Sequence, residues 1–425
     1  MLSVLAVAPG WHLGDLYTLA LAGVGAAVLI GVVATTGRRS LPVASSVVVV
    51  VVGALGAVAL ELLDVRPLDP EGDHLLLERL TEVALIVAVF SAGLTIERHV
   101  RRRSWVSIAV LLGVVMPLTI LAVAAFGVWA MGLSFPVALL LGAVLAPTDP
   151  VLAGEVGLTP PGGEVLGEPR LSLHTEAGFN DGLASPFVVL GLFAVGQGGT
   201  AWAGEWLVAD LLYGAGFALA LGAAAGLGGA WLLTRAEQRG IVAEPLSGVA
   251  AVGAVAALYG LTEALGAYGL LAVFASGFAF RRYEFDHHIH GPVHHAIEAT
   301  GKTLEFVVLL MFGTMLTTTG LGVPGLGGWG LALVLLFVIR PVLVMATAGR
   351  SFLGRREQLF LGFFGVRGVA ALFYAAVVVE ADVLSAEDQH LLVWTTIACV
   401  LTSIFVHGIS AAPLSRRWLA PGVRT

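Results

Sequence analysis

Residues 146–153 read APTDPVLA, and they interrupt an otherwise apolar run near 134–155. Pro147 and Pro150 bracket Thr148 and Asp149. Each proline removes a backbone donor and disfavours helix at the residue before it. A helix reaching this stretch must therefore break. Carbonyls freed at the break need partners from neighbouring segments or a cavity. The half-helix after the break begins with a partial positive charge, which Asp149 can offset. A carboxylate beside freed carbonyls also suits a hard monovalent cation. A capped proline kink and a shaped ion site both stay open, and one residue can serve both.

The rest of the chain places this break in a membrane. The 425 residues are 58% hydrophobic and 12% charged, with mean hydropathy +0.94. Soluble domains carry about 25% charged residues, so the chain reads as a polytopic membrane protein. A spanning helix needs about 20 mostly apolar residues. By that ruler thirteen segments emerge, near 14–36, 41–63, 76–96, 105–130, 134–155, 172–196, 206–233, 241–261, 264–280, 302–318, 328–349, 357–380 and 390–413. With the N-terminus outside and the C-terminus cytoplasmic, alternate loops and the tail hold 18 of the 22 basic residues, as the positive-inside rule requires. A multi-pass protein of the plasma (inner) membrane is expected, in contact with the lipid bilayer.

Several classes fall away. The lone Cys399 excludes an intramolecular disulfide and a cysteine metal site; it reads as a small buried apolar group. The opening MLSVLAVAPGWH lacks a basic region followed by a long apolar run, so no cleaved signal peptide is expected. No basic stripe suggests nucleic acid. No cofactor and no resident metal are expected.

The segments also repeat. LTEVALIVAVFSAGLTI (80–96) matches LEFVVLLMFGTMLTT (304–318), each with a Glu, an apolar run and F-x-x-x-L-T. LLLGAVLAPTDP (139–150) matches LFLGFFGVRG (359–368), whose weak point is Gly365, Arg367 and Gly368. Both pairs are seven segments apart, so the copies run in opposite directions. The expected fold is all-α, with two inverted repeats of six helices and crossed broken helices in segments 5 and 12. Such repeats with broken helices characterise transporters.

Charged groups at the bilayer centre cost roughly 3 kcal/mol each or more. Asp149, Glu176, Asp181, Arg340 and Arg367 all fall within spans. In GFNDGLASPF (178–187) Asn180 shares a face with Glu176, four residues earlier, while Asp181 is rotated about 100° away. Asp181 is thus the carboxylate free to face a cavity. Glu176 is the natural partner of Arg340, because a guanidinium keeps its charge and can grip a carboxylate through two bonds.

The combination of E-x-x-x-N-D-G, T-D-P in a preceding broken segment, a mid-membrane Arg before Pro and R-G in the penultimate span resembles the cation–proton antiporter superfamily. The Asn-Asp pair is similar to its electroneutral NhaP-type sodium/proton branch, related to the animal sodium/proton exchangers. The resemblance covers nearly the whole chain. It implies that Asp181 binds the ion and the proton beside Asn180, that Thr148 and Asp149 form an unwound crossover at the ion site, and that Glu176 and Arg340 are a structural pair. It further implies a homodimer, in which a core bundle including about 76–196 and 302–413 moves against a dimerisation bundle including about 14–63 and 206–280. Two positions depart from the pattern. Ser91 stands where some members carry an acidic residue, and Ala177 where many carry Ser; both remove possible cation ligands.

The implied activity is exchange of a monovalent cation, Na+ first and K+ or Li+ as alternatives, for H+ by alternating access. Proton and cation compete for Asp181, either loaded form is neutral, and the bare carboxylate is costly to move. Members of the electrogenic branch have two adjacent aspartates and a lysine. Here Asn180 and Arg340 stand instead, and neither gives up a proton, so a ratio of one to one is expected. Another proton-coupled carrier or a channel of similar architecture is the main rival. An intramembrane protease using Asp149 and Asp181 is a remote one, since PTDP and FNDG do not resemble its motifs. The run DHHIHGPVHH (286–295) contains His287, His288, His290, His294 and His295 in a cytoplasmic loop or interfacial helix. These, with His174, are candidate pH sensors only because His titrates near neutrality.

Overall fold

The computed structural model describes residues 16–36, 43–62, 64–96, 102–149, 168–197, 199–287, 291–347 and 354–419. Pro150, the second half of the fifth segment, His288 and His290 lie outside these residues. The described chain is a succession of helices: α1 (Leu16–Thr36), α2 (Ser45–Leu62), α3 (His74–Leu94), α4 (Ser104–Met131), α5 (Phe135–Val144), α6 (Glu168–Gly196), α7 (Ala203–Gln238), α8 (Ser247–Ala264), α9 (Gly269–His287), α10 (Gly291–Thr314), α11 (Gly325–Thr347), α12 (Arg355–Phe363), α13 (Val369–Glu380) and α14 (Ala386–Leu419). Among the described residues, seven helices are long and apolar enough to cross a membrane, and three shorter apolar ones accompany them.

Segment 12 is two helices, because the chain leaves helical geometry between Phe363 and Val369, at the weak point expected from Gly365, Arg367 and Gly368. Two boundaries depart from the sequence expectation. The eighth and ninth segments part at a turn containing Gly266, whose φ is +70°, a left-handed conformation that suits glycine. α10 starts at Gly291, some ten residues early, so His294 and His295 are helical.

Apolar side chains surround most of these helices, so amphipathicity does not orient them. Close approach of small residues does. Gly53 of α2 and Gly313 of α10 face one another, and a Cβ on either would strike the backbone of the other helix at Leu310 or Val50. Gly93 of α3 and Gly277 of α9 make the same contact against Phe274 and Phe90. An offset of seven segments converts α3–α9 into α10–α2, so these contacts are counterparts in the two repeats.

A second correspondence lies in the next helices. α4 contains a π-helical turn, Leu111–Val115, followed by Met116-Pro117. α11 contains one at Leu335–Ile339, followed by Arg340-Pro341. Proline cannot donate to the carbonyl four residues back and its ring crowds that carbonyl; a widened turn relieves both. The repeats therefore share backbone irregularities that hydropathy does not reveal. The polar site sits among α3, α5, α6, α13 and α14. In the apolar window of α14, 72% of residues are buried, against 22% in α7, so α14 belongs to the interior.

Candidate functional site

The two breaks cross. After Val144 the chain runs non-helically through residues 145–149, and a second such stretch runs through 365–368. The Asp149 N–H donates to the Val366 carbonyl at 2.8 Å. The Asp149 Oδ2 accepts from the Val369 N–H, also at 2.8 Å. Val369 opens α13, whose first N–H groups have no partner within the helix and carry partial positive charge. Asp149 thus offsets the start of α13, on the opposite break from its own.

The C-terminal end of α5 is handled in the converse way. Arg367 Nη1 donates to the Ala146 carbonyl and, at 2.7 Å, to the Pro147 carbonyl. The carbonyls that the sequence offered to a transported cation are held by the protein's own cation. Each break therefore supplies the charge that the other's open helix end requires.

Neighbouring helices fix the crossing strands. The Asn180 Oδ1 accepts from the Thr148 N–H at 3.1 Å, and its Nδ2 donates to Thr148 Oγ1 at 2.8 Å. Since the Thr148 N–H can only donate, the amide orientation follows. In the other repeat Ser403 Oγ accepts from the Arg367 N–H at 2.7 Å. The side chain from the helix after each break performs the same task. Asn180 Nδ2 also lies 3.5 Å from Glu176 Oε1.

Glu176 and Arg340 meet as expected. Arg340 Nη2 donates to Glu176 Oε2 at 2.6 Å, and the residues are 3% and 1% exposed. Gly365 makes room for the pair, because a Cβ there would coincide with the Arg340 guanidinium. Gly365→Ala is therefore expected to destabilise the fold by about 3 kcal/mol, the upper range for forcing atoms into a packed site. Thermal unfolding in detergent checks this; an unchanged midpoint would mean that Arg340 is free to shift.

Asp181 differs from every neighbour. It is fully buried, and neither carboxylate oxygen has a hydrogen-bond partner among the described residues. A buried ionised carboxylate without a partner costs several kcal/mol. A proton or a cation on such a group removes that cost.

Other expectations resolve into ordinary pairs. Glu82 lies 3.1 Å from Arg79 and accepts from the Tyr259 hydroxyl at 2.6 Å; Glu305 pairs with Lys302 at 2.9 Å. His174 is on α6, two turns before Asp181, and its Nε2 is buried without a partner among the described residues. Ala177 is buried one turn before Asp181, and Ser91 lies in the last turn of α3. His294 lies 3.0 Å from buried Glu284, and His295 is exposed. His287 ends α9, about 20 Å along the helix from Phe274, which packs on Phe179 beside the site. None of His287, His294 and His295 is thus among the groups brought to Asp181.

Three residues escaped the sequence reading. The Tyr374 hydroxyl donates to the Asp181 main-chain carbonyl and lies 2.9 Å from Ser185 Oγ. Ser403 holds the second crossing strand. The His407 Nε2 lies 2.8 Å from the Phe363 carbonyl, at the end of α12. A signal existed: Tyr374, Ser403 and His407 are polar groups in apolar spans, with Ser403 and His407 four apart on one helix face.

Known proteins complete the picture. The chain is 31% identical over 377 residues to Na(+)/H(+) antiporter 2 of Zygosaccharomyces rouxii, covering 80% of this chain and 45% of that one. It is 25% identical over 339 residues to K(+)/H(+) antiporter NhaP of Alkalimonas amylolytica, covering 79% and 56%. It thus spans about half the length of these relatives. The structure of the sodium proton antiporter MjNhaP1 from Methanocaldococcus jannaschii at pH 8 superposes with a TM-score of 0.73 at 20% identity, covering 95% of this chain and 100% of that one. Residues 9–417 match the family described as sodium/hydrogen exchanger, transmembrane. The crossed breaks, the buried polar site and this match over nearly the whole length have one meaning: the chain belongs to the transmembrane sodium/hydrogen exchanger family, and is a multi-pass membrane protein with a transporter's fold.

Proposed function

We propose that this protein exchanges Na+ for H+ across a membrane, one for one, with Asp181 as the shared binding group. The observation that carries the reading is the buried Asp181 carboxylate, whose two oxygens have no partner among the described residues. The names of the yeast relatives favour Na+ as the cargo. Asn180 and Thr148 hold the wall beside the ion, and Asp149 and Arg367 neutralise the helix ends around it. The protease reading loses support, since Asp149 Oδ2 is committed to the Val369 N–H. Access alternates as a core bundle (about 76–196 and 302–413) moves against a dimerisation bundle (about 14–63 and 206–280) in a homodimer. The N-terminus lies outside and the C-terminus in the cytoplasm. K+/H+ exchange is the second reading, favoured by the bacterial relative named for it.

Competition makes a specific demand. In proteoliposomes carrying a proton gradient, Na+ should dissipate the gradient. Its apparent KM should rise as pH falls, approaching about tenfold per unit once the proton occupies the site, because each tenfold gain in proton concentration must be matched by the cation. The maximal rate should stay nearly constant. A KM independent of pH would separate the proton from the cation site, and a response to K+ alone would select the second reading.

A further inference from the structure

A cavity of about 280 Å³ lies between α3, α6 and α13 on one side and α8 and α9 on the other, and Glu78, Glu82 and Glu263 are in its wall. It lies towards one end of the molecule. His74, which opens α3, and Glu380, which closes α13, are 2.9 Å apart there, and the loop charges assign that end to the outer face. Fully buried Asp181 is not in the cavity wall. Two lining residues nevertheless reach it. Ser185 is one turn further along the same face of α6. Tyr374, six residues or about 9 Å before Glu380 along the helix, donates its hydroxyl to the Asp181 carbonyl. The Tyr374 phenol therefore ties the cavity wall to the main chain of the residue that carries the proposed binding carboxylate.

The local chemistry makes this contact releasable. The Tyr374 hydroxyl is held by the Asp181 carbonyl and Ser185 Oγ, both on α6, while its ring is rooted on α13 and is 2% exposed. The next residue on α6 is Pro186, which cannot donate to the Gly182 carbonyl. The phenol thus closes on a turn whose backbone bonding is already incomplete. We propose that Tyr374 is the outer gate of the ion path: its ring, pinned to Asp181 and Ser185, separates the acidic cavity from the carboxylate and must swing aside for a cation to arrive from that side. The inference rests on the proposed role of Asp181, and its test reads access rather than exchange, so the two can fail separately.

The chain's single cysteine makes the test direct. Cys399 is buried, and Cys399→Ala gives a cysteine-free background. Asp181→Cys then reports access behind the gate, and Val189→Cys reports the cavity itself, where Val189 is part of the wall. The reconstituted protein is treated from the outer face with a membrane-impermeant trimethylammonium methanethiosulfonate. With Tyr374 in place, position 181 should react much more slowly than position 189. Tyr374→Ala should accelerate labelling at 181 by about tenfold or more, as expected when a local opening is no longer required, and leave 189 unchanged. Tyr374→Phe keeps the ring but loses both hydrogen bonds, and should give a smaller acceleration. If Tyr374→Ala does not fold, labelling at 189 will reveal it, and Tyr374→Phe decides alone. Equal rates at 181 with and without the Tyr374 substitution, while 189 reacts normally, would overturn the gate. So would fast labelling at 181 with Tyr374 intact.

Discussion

Asp181→Asn is expected to reduce cation-driven proton movement to the level of protein-free vesicles, while leaving the protein folded. The amide matches the carboxylate in size, so packing at this fully buried position is kept. It can neither release a proton near neutrality nor neutralise a cation, so both halves of the cycle lose their binding group. Folding should not suffer, because neither oxygen of the native side chain has a partner to lose among the described residues; the thermal midpoint should stay the same or rise. Two assays decide: dissipation of a proton gradient by Na+ in proteoliposomes, and thermal unfolding in detergent. Ordinary exchange by a well-folded Asp181→Asn protein would remove Asp181 from the centre of the mechanism. Loss of both exchange and stability would reassign it a structural role.

The second large effect concerns Glu176 and Arg340. Their 2.6 Å contact is almost entirely excluded from solvent. Removing one partner strands the other charge, which costs about 3–5 kcal/mol. Glu176→Gln and Arg340→Leu should each lower the unfolding midpoint severely, and the double variant should be milder than the sum. In a double-mutant cycle the coupling should be of the order of several kcal/mol. Additive losses would mean that each residue is held by something else. The neighbours make partial rescue reasonable, since Asn180 Nδ2 is already 3.5 Å from Glu176 Oε1.

Much of this site was legible in the sequence because charge in an apolar span needs a reason. Asp149, Glu176, Asp181, Arg340 and Arg367 stood out on that ground alone, and a helical period separated Asp181 from the Glu176–Asn180 face. Prolines and glycines marked where helices would break. Hydropathy and periodicity do not show which partner each freed group finds. Arg367 read as part of the weak point of its own segment, and its Nη1 meets carbonyls from the opposite break, 220 residues away in sequence. Asp149 read as a cap for its own second half, which lies outside the described residues, and its Oδ2 accepts from the first N–H of α13. These contacts between the two breaks follow from the crossing of two strands, which only the three-dimensional arrangement supplies. Tyr374, Ser403 and His407 were passed over for a different reason. None carries a fixed charge, so the signal from burying a hydroxyl or an imidazole is weaker than that from a carboxylate or a guanidinium.

The repeat was legible as weak similarity, and its strongest marks were not. The π-helical turns before Pro117 and Pro341, and the paired glycine contacts α2–α10 and α3–α9, leave almost no trace in a hydropathy profile. They are geometric consequences of where prolines and small residues fall.

In the proposed exchange, one titrating carboxylate serves one cation and one proton. Asn180 cannot titrate, Arg340 keeps its proton, and Asp149 is engaged at α13. No net charge then crosses in a cycle. A membrane potential of 100 mV is worth about 2.3 kcal/mol per charge moved, and it should have no leverage on a neutral exchange. The measurement is the null point: proteoliposomes are given opposing sodium and proton gradients, and the ratio at which net proton movement stops is found with and without a potassium–valinomycin potential. The null point should fall where the sodium and proton ratios are equal and should not move when the potential is applied. A null point that shifts with voltage would contradict the account, and would mean that a second titrating group, with Asp149, Glu82 or His174 the first to test, travels with Asp181.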